Sequence, residues 1–122
     1  MTSSAAPDPS VAPSAPAPRV VIALTTLAAD ADAAAFARTL VDERLAACVN
    51  VLPVMTSIFR WKGAVEQDRE QQILMKTTAD RLPALAARLR QLHPYELPEL
   101  LVLTAADGSA AAYLEWVRDA VR

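Results

Sequence analysis

Metal-ligating and nucleophilic side chains are scarce in this sequence, which holds one histidine, His93, and one cysteine, Cys48. His93 opens a rigid His-Pro-Tyr-Glu-Leu-Pro stretch, with Glu96 and Glu99 close behind it. Neutral imidazole is the commonest metal ligand, so His93 with either carboxylate forms a partial divalent-cation site. The structural alternative is an imidazole hydrogen-bonded to a helix-terminal carbonyl. As a metal site it is incomplete, and the remaining ligands would have to come from elsewhere in the fold or across a subunit boundary. Imidazole with carboxylate and no assured thiolate suits Cu(II) or Zn(II) better than Cu(I). Cys48 opens an apolar strand-like run and reads as a small core hydrophobe, with nucleophile or thiolate ligand as the other roles.

Other chemistry is bounded by what is missing. The sequence contains no Gly-rich phosphate loop, no G-x-S-x-G, no paired-Cys zinc spacing and no H-E-x-x-H. No catalytic residue is assigned; an enzyme using Glu96 or Glu99 as base is a minor reading. Lys76 is either an exposed strand-end lysine or a cleft charge that pairs with Glu96 or Glu99 or holds an anion. Trp61 and Tyr95 read as packing residues or as walls of a cleft. The polar run Glu66 to Gln72 reads as a solvated or interface-rim strand face, and only weakly as a cation site.

The elements that must position these groups begin with a long hairpin. Ile58, Phe59 and Trp61 precede Lys62-Gly63, and Val65, Ile73, Leu74, Met75 and Thr77 follow it. This is strand composition about a two-residue turn in which glycine supplies φ > 0. Arms of about 14 residues span roughly 45 Å, more than the roughly 34 Å diameter of a domain of this size. The ribbon therefore overshoots its own core, and another copy of the chain is the simplest cover.

Around the hairpin, Arg19–Leu27 reads as a central strand. A helix capped by Asp30 or Asp32 follows and ends near Ala46, with no glycine to mark the end. The second strand starts at Cys48, and Pro53 marks an edge position or a bulge in it. Thr78 or Asp80 caps a second helix, with Pro83 in its first turn and Leu82, Leu85, Ala86, Leu89 and Leu92 on one face. Glu99–Thr104 is a fourth strand. A turn at Asp107-Gly-Ser then leads into a last helix with Ala110, Tyr113, Leu114, Val117 and Val121 inward. The order β-α-β-β-α-β-α predicts an α+β, ferredoxin-like split β-α-β sandwich.

Composition agrees with one domain over residues 19–122. Hydrophobic residues make up 53% and charged residues 21%, which provides a core, and the net charge of −2 offers no electrostatic case for nucleic acid or an anionic membrane. A lone cysteine excludes an intrachain disulfide framework and fits a reducing cytoplasm. Residues 1–18 are Ala/Pro/Ser-rich and read as a disordered tail. No apolar run approaches the roughly 20 residues of a membrane span.

Four segments together resemble the CutA family of divalent-cation tolerance proteins, over about Val20 to Arg122. They are Glu43-Arg-Leu-Ala-Ala-Cys-Val-Asn50, Ser57-Ile-Phe-Arg-Trp-Lys-Gly63, Lys76-Thr-Thr78 and His93-Pro-Tyr-Glu-Leu-Pro-Glu99. The resemblance implies a ferredoxin-like homotrimer with the long hairpins packed between subunits. It also implies tolerance of copper and other divalent cations, copper binding, and no agreed enzymatic activity. Some members are credited with metal ligation by a first-strand cysteine and two adjacent histidines; the matching positions here are Thr25, Leu92 and His93. The family trimer also resembles that of the PII signalling proteins. That likeness implies an alternative, a sensor whose inter-subunit cleft binds a small anion with Arg60, Lys76 and His93 as lining.

Overall fold

The computed structural model describes residues 16–122. Residues 1–15 of the expected tail lie outside the described residues. The hairpin is the longest feature: β2 (Cys48–Trp61) and β3 (Ala64–Thr78) pair antiparallel from Cys48↔Lys76 to Trp61↔Ala64. Lys62 and Gly63 turn the chain with φ of 50° and 82°. Both values are left-handed, as the mirror-type two-residue turn that matches strand twist requires. Pro53 falls where the register shifts between Val51 and Val54. The strand is an edge of the sheet as well, so the proline's missing N–H breaks no interior ladder.

β1 (Val20–Ala28) runs antiparallel to β3, and β4 (Leu101–Thr104) antiparallel to β1, giving the sheet order β2-β3-β1-β4. In this order β3 lies between β1 and β2, and β1 between β3 and β4, as the split β-α-β arrangement requires. α1 (Ala33–Asp42) and α2 (Leu82–Leu92) cover one sheet face. Phe36 and Leu40 from α1 meet Leu85 and Leu89 from α2 over Ala23, Leu27, Ile73 and Met75. Each large side chain buried this way contributes about 1.5–3 kcal/mol. α3 (Ala111–Ala120) packs Val117, with Val121 just beyond its end, against Val20 and Ala47 in a second, smaller cluster. Among the described residues no helix is long and apolar enough to cross a membrane.

Several local expectations need correction. Asp32 does cap α1, accepting the Ala35 N–H at 3.0 Å. The helix stops at Asp42, four residues short of Ala46, because the chain closes on itself there. The Arg44 N–H donates to the Val41 carbonyl and the Leu45 N–H to the Leu40 carbonyl. These are the two bonds of a Schellman ending, with Arg44 at φ 58° in the position glycine usually fills. Neither Thr78 nor Asp80 caps α2; the Thr78 hydroxyl donates to the Asp80 carboxylate, and a single 3-10 turn, Ala79–Arg81, leads into the helix. Pro83 sits in the first turn as expected. β4 begins at Leu101, since Glu99 and Leu100 are held by side-chain contacts outside the ladder. Tyr113 is not inward: it is half-exposed and lies 5.6 Å from the Trp116 ring, leaving Leu114, Val117 and Val121 to face the core.

Candidate functional site

β1 pairs with β3 only from Glu70 to Thr78, so the outer half of the hairpin stands free of the sheet. Side chains alternate along each arm, which puts Glu66, Asp68 and Glu70 on one face of β3. Their cross-strand partners Phe59, Ser57 and Met55 share that face, opposite α1 and α2. The segment Tyr95–Leu101 passes in front of it. Between them lies a cavity of about 660 Å³, lined by the aromatic rings of Phe59, Trp61 and Tyr95 and by five carboxylates, Glu66, Asp68, Glu70, Glu96 and Glu99. Among the described residues, no lysine or arginine is in the lining. Lys62 stands at the rim, 3.6 Å from Glu96 and 5.6 Å from the Trp61 ring centroid.

His93 organises the turn that carries Tyr95. Its buried ring sits with Nε2 2.6 Å from the Thr26 carbonyl, while Nδ1 accepts the Tyr95 N–H at 3.2 Å. A carbonyl only accepts, so Nε2 carries the proton and the imidazole is the neutral Nε2–H tautomer. The two rings meet edge to face at 4.6 Å. Tyr95 in turn donates its hydroxyl to Glu70 at 2.9 Å. Burial, the bond to Glu70 and the negative charges of Glu70, Asp68 and Asp30 push the phenol up to about 12. Glu99 accepts from Gln72 Nε2 at 2.9 Å, and the same amide donates to the Thr25 carbonyl at 2.7 Å. The Tyr95–Glu70 and Gln72–Glu99 bonds pin the Tyr95–Leu101 segment to the sheet.

The residues singled out in the sequence fall into three groups. Trp61, Tyr95, Glu96 and Glu99 line the cavity, and His93 stands behind it. Arg60 and Lys76 lie elsewhere. Arg60 is on the opposite face of the ribbon, its guanidinium 3.5 Å from the Gly63 carbonyl, and Lys76 sits over the Tyr113 ring near the far end of β3. From the Arg60 partner Val65 to Lys76 the strand runs about 36 Å, so one chain does not bring these two cations together. Cys48 is a half-buried free thiol, 3.9 Å from the Asn50 side-chain oxygen, not a fully buried core residue. Thr25 is fully buried with an unpartnered hydroxyl, and Leu92 packs against the main core. Glu66, Asp68 and Glu70, expected as a solvated or rim face and only weakly as a cation site, line the same cavity. The signal was there, in acidic residues at every second position of a strand.

Among the described residues, no three His, Cys, Asp or Glu side chains converge tightly enough to hold a metal ion. An ion held by one or two of the described side chains would draw the rest of its coordination shell from water or a second subunit.

Residues 21–120 match the profile of the CutA1 divalent ion tolerance protein family. The chain belongs to that family. The divalent-cation tolerance protein CutA of Thermus thermophilus is 45% identical over 98 residues, which cover 80% of this chain and 94% of that one. The solved structure of the Thermus thermophilus divalent cation tolerance protein superposes with a TM-score of 0.79 at 43% identity, covering 84% of this chain and 99% of the other. The PII-like protein CutA of Nostoc, solved in apo form, superposes with a TM-score of 0.76 at 36% identity, covering 84% and 97%. The CutA fold is thus shared along nearly the whole described chain.

Proposed function

We propose that this CutA-family protein works as a cytoplasmic homotrimer in divalent-metal tolerance, each cavity drawing a divalent cation to its carboxylates. The observation that carries the reading is the sign of the cavity: five carboxylates face it and no lysine or arginine does. Such a surface concentrates cations and repels anions. Carboxylate and water ligation suits hard ions such as Mn(II) and Mg(II). Cu(II) keeps a route through His93 with Glu96 or Glu99. The Nε2–H held by a backbone carbonyl is the usual support for a ligating imidazole, and Nδ1 would have to release the Tyr95 N–H. Affinity is modest in either case, because no three ligand side chains converge among the described residues.

Calorimetric titration of the full chain with Mn(II) and Cu(II) tests this. Saturable binding is expected, weakened about tenfold by Glu70→Gln or Glu99→Gln. His93→Ala should affect Cu(II) more than Mn(II). Absence of binding by either ion would overturn the reading. The sensor reading, to which the PII-like relative's name lends support, needs Arg60 and Lys76 from different subunits at one cleft. A small anion found by native mass spectrometry of the fresh trimer would favour it.

A further inference from the structure

The cavity has features that a metal ion does not use. Three of its walls are the rings of Phe59, Trp61 and Tyr95, and its volume of about 660 Å³ is that of a site for an organic molecule. Aromatic faces attract ammonium groups through the ring quadrupole. The chain supplies an example at the rim, where the Lys62 ammonium lies 5.6 Å from the Trp61 centroid and 3.6 Å from Glu96.

Deeper in, Glu70 is only 8% exposed, and none of the ion pairs among the described residues includes it. One of its oxygens accepts the Tyr95 hydroxyl, but that neutral bond leaves the charge without a counter-ion. Buried charges are as a rule paired or metal-bound, so Glu70 calls for a cation from outside its own chain. Glu66, Asp68 and Glu70 occupy alternate positions on one strand face, so successive carboxylates stand about 6.6 Å apart. That step is comparable with the distance between the amino groups of a short aliphatic diamine.

We infer that the cavity binds a linear organic diammonium cation, one ammonium against Glu70 and the other against Asp68 or Glu66, its methylene chain lying on Trp61 and Phe59. The inference rests on the proposal that this cavity takes a cation, and it adds a ligand class that competes with divalent metal for the same carboxylates. Recognition needs both halves of the wall, since the carboxylates supply charge and the rings select an alkyl chain over a hydrated ion.

Titration calorimetry of the full chain with putrescine, with n-butylamine as the singly charged control and Mn(II) as the metal, tests the assignment. Putrescine should bind saturably, at least tenfold tighter than n-butylamine, and should shift the Mn(II) isotherm to higher concentration. Trp61→Leu should weaken putrescine at least tenfold and leave Mn(II) within a factor of two or three. Glu70→Gln should weaken both, and it serves alone if the tryptophan variant does not fold. Mn(II) binding without putrescine binding overturns the diammonium inference and leaves the cation reading standing, whereas failure of both overturns both. Equal binding of putrescine and n-butylamine overturns the two-carboxylate match, and putrescine binding unchanged in both variants overturns the location.

Discussion

Tyr95 and Glu70 form the most informative pair of side chains, because their bond joins the Tyr95–Leu101 segment to the hairpin. The phenol is pushed up to about 12 from 10.0, first by burial and then by its bond to Glu70 and the surrounding negative charge. A folded-state value raised above the unfolded one means that the fold favours the neutral phenol. Its contribution is complete below about pH 10 and is lost as pH rises through about 12. An absorbance titration of the phenolate band should therefore show one tyrosine ionising near 12. Glu70→Gln should move that step down toward 10, and an unmoved step would mean that the carboxylate does not govern Tyr95. His93 supports the same turn from behind. His93→Ala leaves the buried Thr26 carbonyl without its donor and should lower unfolding stability by about 2–3 kcal/mol, measured by denaturant melts. The His93-Pro-Tyr-Glu-Leu-Pro stretch was legible as a rigid turn with a functional look. Its bond to Thr26, 67 residues away in sequence, was not, because such a contact exists only once β1 and α2 are packed.

At the scale of elements, strand composition and turn chemistry carried most of the information. The two-residue turn at Lys62-Gly63, the start of β2 at Cys48, the break at Pro53 and the leucine face of α2 were all readable, because period and proline act locally. Ends that depend on closure were not readable. α1 stops through bonds made by Arg44 and Leu45, and arginine gives no hint that it will adopt φ 58°. Arg44→Gly should therefore stabilise the fold by several tenths of a kcal/mol, the relief of left-handed strain being offset in part by greater freedom in the unfolded chain. At Gly63 the sign reverses. An alanine there meets no neighbouring atom but must hold φ 82°, so Gly63→Ala should cost about 1 kcal/mol from conformation alone. Thermal melts of the two variants should move in opposite directions; a drop in both would mean that Arg44 is held by its bond to the Arg122 carbonyl. The strand carboxylates gave only a weak cation signal in the sequence for a related reason. Glu66, Asp68 and Glu70 look like a solvated face until the Tyr95–Leu101 segment is seen to cross it.

The whole molecule is defined by apolar surface that one chain leaves uncovered. On the free half of the ribbon Ile58 is 68% exposed and Val65 is 65% exposed, and the edge strand β4 shows Leu101, Val102 and Leu103. Leu97, Tyr113 and Trp116 add to it. Exposed apolar side chains beside open strand edges mark an interface, and the family likeness sets the expected number at three. The N-terminal tail is not expected to take part beyond its last residues, since the Pro18 carbonyl is held by Arg118 at 2.8 Å. A chain beginning at Pro16 should thus keep the melting temperature and the assembly mass of the full chain. The ribbon makes the sharper test. Ile58 and Val65 lie on the same ribbon face at neighbouring pairs of the ladder, Ile58↔Gln67 and Arg60↔Val65, and neither reaches the core of its own chain. Replacing both by aspartate leaves the monomer's core intact and places two charges where a neighbour would bury them, at several kcal/mol per contact if unpaired. Sedimentation equilibrium at sub-micromolar protein should give about three times the chain mass of 13.1 kDa for the parent. The Ile58→Asp/Val65→Asp variant should sediment near the single-chain mass with its circular dichroism preserved. A monomeric parent would sink the argument from hairpin length, and a trimeric double variant would move the interface away from the ribbon.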